Sequence, residues 1–380
     1  MKALVTGGAG FIGSHIADAL LREDVEVTIL DNLEPRVHAR NVRPNIPDGA
    51  RFFSGDVRDK SAWEQALEKV DIVFHEAAYQ DYMPDYSKFF HTNVVGTALM
   101  FEVIRERKLQ IAKVVVASSQ AVYGEGQYDC PEHGLVLPQA RSREQMLLGN
   151  WEVRCPYCGN SMAPILLEEQ HTNPYNQYAL SKLSQEMLAI RLGRNLGIPV
   201  VGLRYSIVQG PRQSPFNSYS GICRIFTLRL LNNRPPIIYE DGLQRRDYCH
   251  IEDVVAANLL VARDSRADFE AFNVGSGAAT TVIDYSRMLA QVTGRDIAPE
   301  ILSKFRVGDN RHSVSSIEKL RALGWAPTRT LHEIMSDYWN WIQSSGCEGE
   351  FFLSADDEME KSGVVCSTAP ASTVLNAARL

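Results

Sequence analysis

A tyrosine and a lysine stand one helical turn apart in Tyr178-Ala179-Leu180-Ser181-Lys182. Residues at this spacing share a helix face, so the ammonium is carried beside the phenol. A free phenol, with a pKa of about 10, is a poor base at neutral pH, and a neighbouring cation lowers that value toward the working range. Tyr178 assisted by Lys182 therefore reads as a general base for taking the proton of an alcohol. Upstream, the apolar run 114–116 leads into Ala117-Ser118-Ser119-Gln120-Ala121-Val122-Tyr123-Gly124. Ser119 would end a strand there, where its hydroxyl can share a hydrogen bond with the same substrate oxygen. An alcohol that loses a proton in this way must also give up a hydride.

The acceptor for that hydride is indicated at the amino terminus. Gly7, Gly10 and Gly13 lie between the apolar run 2–6 and a helix expected from Phe11. Each glycine meets a physical need: unusual dihedrals in the turn, backbone N–H groups open to a pyrophosphate, and close packing of helix on strand. Asp31 closes the next strand, where a carboxylate can accept from both ribose hydroxyls and repels a 2′-phosphate. NAD is favoured over NADP, and the nearby Arg36 reads as a solvated loop residue.

These residues need a scaffold, and the chain shows one. Segments 2–6, 25–31, 72–75, 114–118 and 200–204 read as strands, with amphipathic stretches between the first four and a helix from about Tyr175 to Asn195 before the fifth. That alternation predicts an α/β protein with a Rossmann-type doubly wound parallel sheet. Residues 1–205 form the dinucleotide-binding domain, interrupted at 127–172 by an insertion rich in Pro, Gly, Cys and charge. Residues 206–344 form mainly a smaller carboxyl-terminal α/β substrate domain. Residues 345–380 lack periodicity and read as a flexible tail.

Bulk properties exclude some classes. A net charge of −7 disfavours nucleic acid, so anionic ligands must meet local cations. No apolar run approaches the roughly 20 residues of a membrane span, and Thr6-Gly7-Gly8 breaks the first apolar stretch too early for a signal peptide. Seven cysteines, an odd number, suit a reduced cytoplasmic setting better than a disulfide framework.

The motif Thr6-Gly7-Gly8-Ala9-Gly10-Phe11-Ile12-Gly13, Asp56 in Gly55-Asp56-Val57, His75-Glu76-Ala77-Ala78, Asn93, Ser119 and the Tyr178/Lys182 pair together resemble the extended short-chain dehydrogenase/reductase family, in its branch acting on nucleotide sugars. The resemblance runs to about residue 340. It implies cofactor contacts from Phe11, Ile12, Asn32, Asp56, Val57, Ala77, Ala78, Asn93 and Ser118, with Asp56 at the adenine and Asn93 supporting the active site. It also implies that Arg246 and Arg306 neutralise the sugar-nucleotide pyrophosphate, a role suited to forked guanidinium donors. Tyr79, Gln80 and Tyr82 would line the sugar pocket, and a homodimer is the family's habit.

Members of this class oxidise a sugar hydroxyl, usually at C4, and differ in what the ketone undergoes next. Dehydratases of the family carry Asp-Glu directly after the residue matching Ser119, and here Gln120 and Ala121 stand instead. Neither transfers a proton, so return of the hydride to the opposite face is the expected outcome: a 4-epimerase, an isomerase with no net redox change. Two other outcomes stay open. A dehydratase or reductase would give a stable keto or deoxy product or consume reduced cofactor. A silent NAD-binding regulator would keep its function when Tyr178 is replaced by phenylalanine.

Within the insertion, Cys130 and His133 form one close pair and Cys155 and Cys158 another. Two such pairs can supply four tetrahedral ligands, which predicts a structural zinc with no open position. Free buried cysteines in a lid, or a zinc-organised interaction module, are the alternatives. The insertion, 218–221 and 234–242 resemble dTDP-L-rhamnose 4-epimerases, although Ser206 and Gln209 depart from the common family pattern.

Overall fold

A computed structural model describes residues 1–38, 44–81, 83–217, 221–345, 361 and 363–368. Seven parallel strands form the central sheet: β1 (Lys2–Thr6), β2 (Glu26–Asp31), β3 (Arg51–Ser54), β4 (Ile72–His75), β5 (Lys113–Ser119), β6 (Val200–Tyr205) and β7 (Ala271–Val274). Their spatial order is β3-β2-β1-β4-β5-β6-β7. The order reverses between β1 and β4, and the crevice beyond their carboxyl ends is where such sheets bind ligands.

The strands read as near-continuous apolar runs because both faces are covered. Helices α1 (Phe11–Leu21) and α5 (Ile251–Arg263) cover one face, where Ile16, Leu20, Val254 and Ala257 pack on Val5, Ile29 and Val115. Helices α2 (Lys60–Ala66), α3 (Gly96–Glu106) and α4 (Gln177–Leu196) cover the other, with Trp63, Phe101 and Ala189 against Leu4, Val73 and Val114. Helix α4 begins two residues later than expected because Asn176 caps it, its side chain accepting from Ala179 N–H at 2.8 Å.

The two lobes interleave. Strand β7 and α5 come from the second half of the chain yet complete the first-half sheet and its helix layer, so 206–344 is only in part a separate lobe. What remains of that lobe packs helices Gly221–Leu231, Val282–Thr293 and Leu331–Ser344 around Phe226, Tyr285, Leu289 and Tyr338. The insertion is ordered: Gln127–Cys130 pairs antiparallel with both Gly134–Val136 and Ala163–Ile165 over a small core of Tyr128, Val136, Val153 and Met162.

Within the segment read as a flexible tail, Val365–Ser367 pairs antiparallel with Lys304–Arg306. The expectation of flexibility does not hold for those three residues, whose backbone groups find partners on an open strand edge. Most of the remaining tail, Tyr82 and residues 218–220 lie outside the described residues. Among the described residues, no helix is long and apolar enough to cross a membrane.

Candidate active site

The glycine turn shows why side chains are excluded from it. Gly7 has φ +66°, and a Cβ on it would stand 2.8 Å from Ala77 N; a Cβ on Gly13 would stand 2.4 Å from Gly7 O. Gly10 meets only Gly7 O, at 3.1 Å, so its other side is open. At the end of β2, Asp31 accepts from Ala9 N–H at 3.1 Å and Leu33 N–H at 2.8 Å, which aims its carboxylate along the turn. Asp56 is gripped by Arg58 Nε and Nη2 at 2.9 and 2.7 Å and by Asn32 Nδ2 at 3.0 Å. The Arg58 hydrogen bonds hold its carboxyl down at about 2. Arg36, an exposed loop residue as expected, also forms an ion pair with Asp81.

The reacting end gathers on β5 and α4. Strand register sets Ser119 opposite Tyr205 at the carboxyl edge of the sheet. The Ser119 hydroxyl hydrogen-bonds the Tyr178 phenol and also accepts from Ala121 N–H at 3.1 Å. Tyr178, Ser181, Lys182 and Gln185 form the buried face of α4. Lys182 Nζ donates to Gln185 Oε1 at 2.7 Å.

The expectation of a lowered phenol pKa fails. Burial pushes Tyr178 up to about 12, opposed by the hydrogen bond from Ser119. Burial also pulls Lys182 down to about 8, opposed by the carboxylates of Glu76 and Glu186. In the protein alone, desolvation of the phenolate therefore sets the direction, and Lys182 is turned to Gln185.

Asn93 does not face the cleft. Fully buried, it donates to Tyr79 O at 3.1 Å and Ser181 Oγ at 2.9 Å and accepts from Tyr79 N–H at 2.8 Å. Since Ser181 in turn donates to Tyr178 O at 2.8 Å, Asn93 ties α4 to the Tyr79 segment, a supporting position behind Tyr178.

Two features escaped sequence reading. Thr6 Oγ1 donates to His75 Nδ1 at 2.7 Å, and His75 Nε2 donates to Thr97 Oγ1 at 2.9 Å, the tautomer that satisfies every group, since Thr97 also donates to Asn93 O and accepts from Gln185. Burial holds His75 neutral, with its pKa near about 3. Beside it, Glu76 accepts from Tyr205 OH at 3.0 Å, and burial raises its carboxyl to about 7 against the pull of Tyr205 and Lys182. The only sequence signal for Glu76 was its place inside the His75 motif.

Asp31, Asp56, Glu76, Ser119, Tyr178 and Lys182 open into one cleft of about 830 Å³ that also reaches Gly7, Phe11, Ile12, Val57, Ala77, Ala78, Ser118, Gln80, Arg246 and Arg306. Arg246 donates to Asn310 O at 2.8 Å and Arg311 O at 2.9 Å, and Arg306 pairs with Asp309 at 3.6 Å. The Tyr79 hydroxyl is committed to Asp85 at 2.7 Å, and its ring packs edge-on to Phe89, which stands between it and Tyr178. Gln120 Oε1 accepts from Ser313 Oγ at 2.8 Å.

In the insertion, Cys130, His133, Cys155 and Cys158 converge so that their ligand atoms lie within 4.8 Å of one another. The Sγ atoms of Cys130 and Cys158 are 3.7 Å apart, and His133 Nδ1 is 3.5 Å from the Sγ of both Cys130 and Cys155.

The fold and this cleft define a nucleotide-dependent sugar-modifying class, and comparison places the chain within it. The NAD dependent epimerase/dehydratase family model matches residues 3–142 and 159–275, and the chain belongs to that family. It is 34% identical over 350 residues to a dTDP-L-rhamnose 4-epimerase of Burkholderia thailandensis, covering 90% of this chain and 94% of that one. It is 33% identical to a putative UDP-glucose 4-epimerase of Methanocaldococcus jannaschii, covering 90% and 98%. The crystal structure of Thermotoga maritima UDP-glucose 4-epimerase with UDP-glucose superposes with a TM-score of 0.75 at 28% identity, covering 91% of this chain and 99% of that one. That of the Thermus thermophilus UDP-glucose 4-epimerase complex with NAD gives 0.69 at 31%, covering 90% and 99%.

Proposed function

We propose that this chain inverts C4 of a nucleotide-diphosphate hexose, of the dTDP or UDP series, through a transient 4-keto sugar. One observation carries the reading: Ser119 and the buried Tyr178 and Lys182 share a continuous cleft with the glycine turn and with Arg246 and Arg306. The residues of the turn, with Asp31 at the ribose and Asp56 toward the adenine, fit NAD, which supplies the hydride acceptor and donor when bound. Tyr178 takes the C4 hydroxyl proton and later returns it, and Ser119 holds the same oxygen. Lys182 offsets the charge on the phenolate. Arg246 and Arg306 face the pyrophosphate, and Gln120 and Ala121, which follow Ser119, supply no carboxyl to drive elimination.

Incubation with a panel of dTDP- and UDP-hexoses, read by proton coupling constants, tests this. Inversion at C4 with the bound cofactor unchanged is expected. A stable 4-keto-6-deoxy product would replace the reading with a dehydratase, and net consumption of reduced cofactor would replace it with a reductase.

The Cys/His cluster fits a structural zinc. Ligands of a tetrahedral zinc, bonded at about 2.3 Å to sulfur and about 2.0 Å to nitrogen, stand about 3.8 Å apart for two sulfurs and about 3.5 Å for sulfur and nitrogen. The cluster's separations of 3.7 and 3.5 Å match both. Four protein ligands leave no position for substrate, so the metal is structural. Thiol ligands must stay reduced, in keeping with a cytoplasmic setting.

The chain assembles as a homodimer through the outer faces of two adjacent helical segments. Tyr86, Phe90 and Val95 on the segment leading into α3, and Leu180 and Met187 on α4, which packs against that segment, are exposed apolar residues of the kind an isologous two-helix interface requires.

A further inference from the structure

The backbone of the loop after Arg306 is fully engaged at its carbonyls. Tyr175 OH donates to Gly308 O at 2.6 Å, Arg141 Nη2 to Asp309 O at 2.9 Å, and Arg246 to both Asn310 O and Arg311 O. Glu125 accepts from Arg311 N–H. Every carbonyl from 308 to 311 is therefore taken, and one of these donors, Arg141, belongs to the insertion.

The insertion grips the loop at a second point. The Arg311 guanidinium, fully buried, donates to Glu152 Oε1 at 3.0 and 2.6 Å, to Asp241 at 2.7 and 2.8 Å, and to Glu240 at 3.0 Å. Arg141 makes a two-pronged pair with Glu240 at 2.9 and 3.0 Å. Arg141, Glu240 and Arg311 are buried charges that persist only when matched this closely, and Glu152 meets Arg311 from the solvent-exposed side of the set. Glu152 is three positions before Cys155, and Val153 between them is buried in the core that surrounds the Cys/His cluster. Trp151 packs its ring 6.0 Å from Phe305, the residue before Arg306.

We infer that the insertion is a brace for the nucleotide end of the cleft: the Cys/His cluster anchors the 151–155 segment, and Glu152 through Arg311 sets the loop that carries Arg306 and abuts Arg246. Glu152 and Arg311 are positioning residues, remote from the sugar carbon that reacts. A group that fixes distal binding contacts equally in ground and transition states governs KM and leaves kcat alone. The inference rests on the nucleotide-sugar reading above.

The test uses the full chain and four measurements: zinc content by plasma mass spectrometry, Kd for NAD, Kd for dTDP and UDP by calorimetry, and kcat with KM. Glu152→Ala is expected to keep its zinc and its NAD affinity, to weaken the diphosphate roughly tenfold, the scale of a hydrogen bond to a charged group, and to raise KM equally with kcat within about twofold. Glu152→Gln, which retains an acceptor, restores part of the loss. Cys158→Ser is expected to lose the metal and reproduce the Glu152→Ala signature. Diphosphate affinity within about twofold of the parent in Glu152→Ala overturns the brace, as does a parallel loss of NAD affinity. A parent chain that binds neither dTDP nor UDP overturns the nucleotide-sugar reading itself, whereas one that binds them but ignores Glu152 overturns the brace alone.

Discussion

Lys182 Nζ donates to Gln185 Oε1 at 2.7 Å, and Gln185 Nε2 donates to Thr97 Oγ1 at 3.0 Å, so the lysine of the proposed Tyr178/Lys182 pair is anchored through α3 to the His75 network. Burial lowers the ammonium to about 8, so it stays mostly charged at neutral pH, and the amide oxygen is its hydrogen-bond acceptor. Gln185→Leu, close in volume, removes that acceptor and leaves both Lys182 and Thr97 short of a partner. A fall in kcat of roughly tenfold or more is expected, from a lost hydrogen bond to a charged group, with NAD affinity retained. Unchanged kcat with an unchanged basic limb of the pH profile would show that Lys182 needs no such anchor.

Tyr178→Phe keeps the ring that packs near Phe89 and removes only the proton-transferring oxygen. Turnover is expected to fall roughly 100- to 10,000-fold, the range of general acid–base catalysis, with NAD still bound. Pre-steady-state absorbance at the reduced-nicotinamide band checks it, and a variant that reduces NAD at the parent rate would remove Tyr178 from the mechanism.

Glu76 gives a pH signature whose sign can be worked out. Burial raises its folded pKa from 4.5 to about 7, so the fold prefers the neutral carboxyl. The stability it contributes is complete below its unfolded value and is lost as pH rises through about 7. Glu76→Gln stays neutral throughout. Its Tm advantage over the parent is therefore expected to grow between pH 4.5 and 7 and to stay flat between 7 and 8. In the same variant Lys182 loses a carboxylate that raises its pKa, so the basic limb of kcat/KM moves to lower pH. A Tm difference already complete at pH 4.5 would contradict the buried carboxyl.

What could be read from the sequence was whatever local backbone demands dictate. The Gly7, Gly10 and Gly13 spacing, strands β1, β4 and β5, and the Tyr178/Lys182 face of α4 follow from turn dihedrals, apolar runs and helix periodicity, and all stand where those rules put them. What escaped depends on partners far apart in the chain. Asn93 meets Ser181 across 88 positions, and Arg141 meets Glu240 across 99, pairings no spacing rule encodes. The pKa of Tyr178 went the other way because burial, a tertiary property, outweighs the neighbour that the helix spacing supplies. The strand at Val365–Ser367 was hidden for the same reason: only the open edge at Lys304–Arg306 orders it.

Asp31 predicts cofactor choice. Its carboxylate is held by Ala9 N–H and Leu33 N–H, so it stays at the end of β2 when the ribose arrives. Asp31→Ala removes both the hydroxyl acceptor and the repulsion toward a 2′-phosphate, while Arg36 and Arg58 remain in the cleft. Affinity for NAD is expected to fall roughly 10- to 100-fold, the scale of hydrogen bonds to a charged group, while affinity for NADP falls less or rises. The ratio of the two Kd values, measured by titration, decides; an unchanged ratio would mean that Asp31 does not read the ribose.

The last prediction concerns α4, which turns two faces to two tasks. Tyr178, Lys182 and Gln185 face inward, while Leu180 and Met187 face out, and Met187 is 55% exposed in the single chain. A second copy meeting this face through its own α4 would bring the two Met187 side chains close to the twofold axis, where an isologous contact doubles the effect of any change. Met187→Glu then sets two carboxylates in an apolar seam, a penalty each copy escapes by separating. Sedimentation equilibrium is expected to drop from twice the chain mass to once, with the far-ultraviolet circular dichroism unchanged because the side chain is exposed within each chain. A variant that stays at twice the chain mass would move the interface off α4.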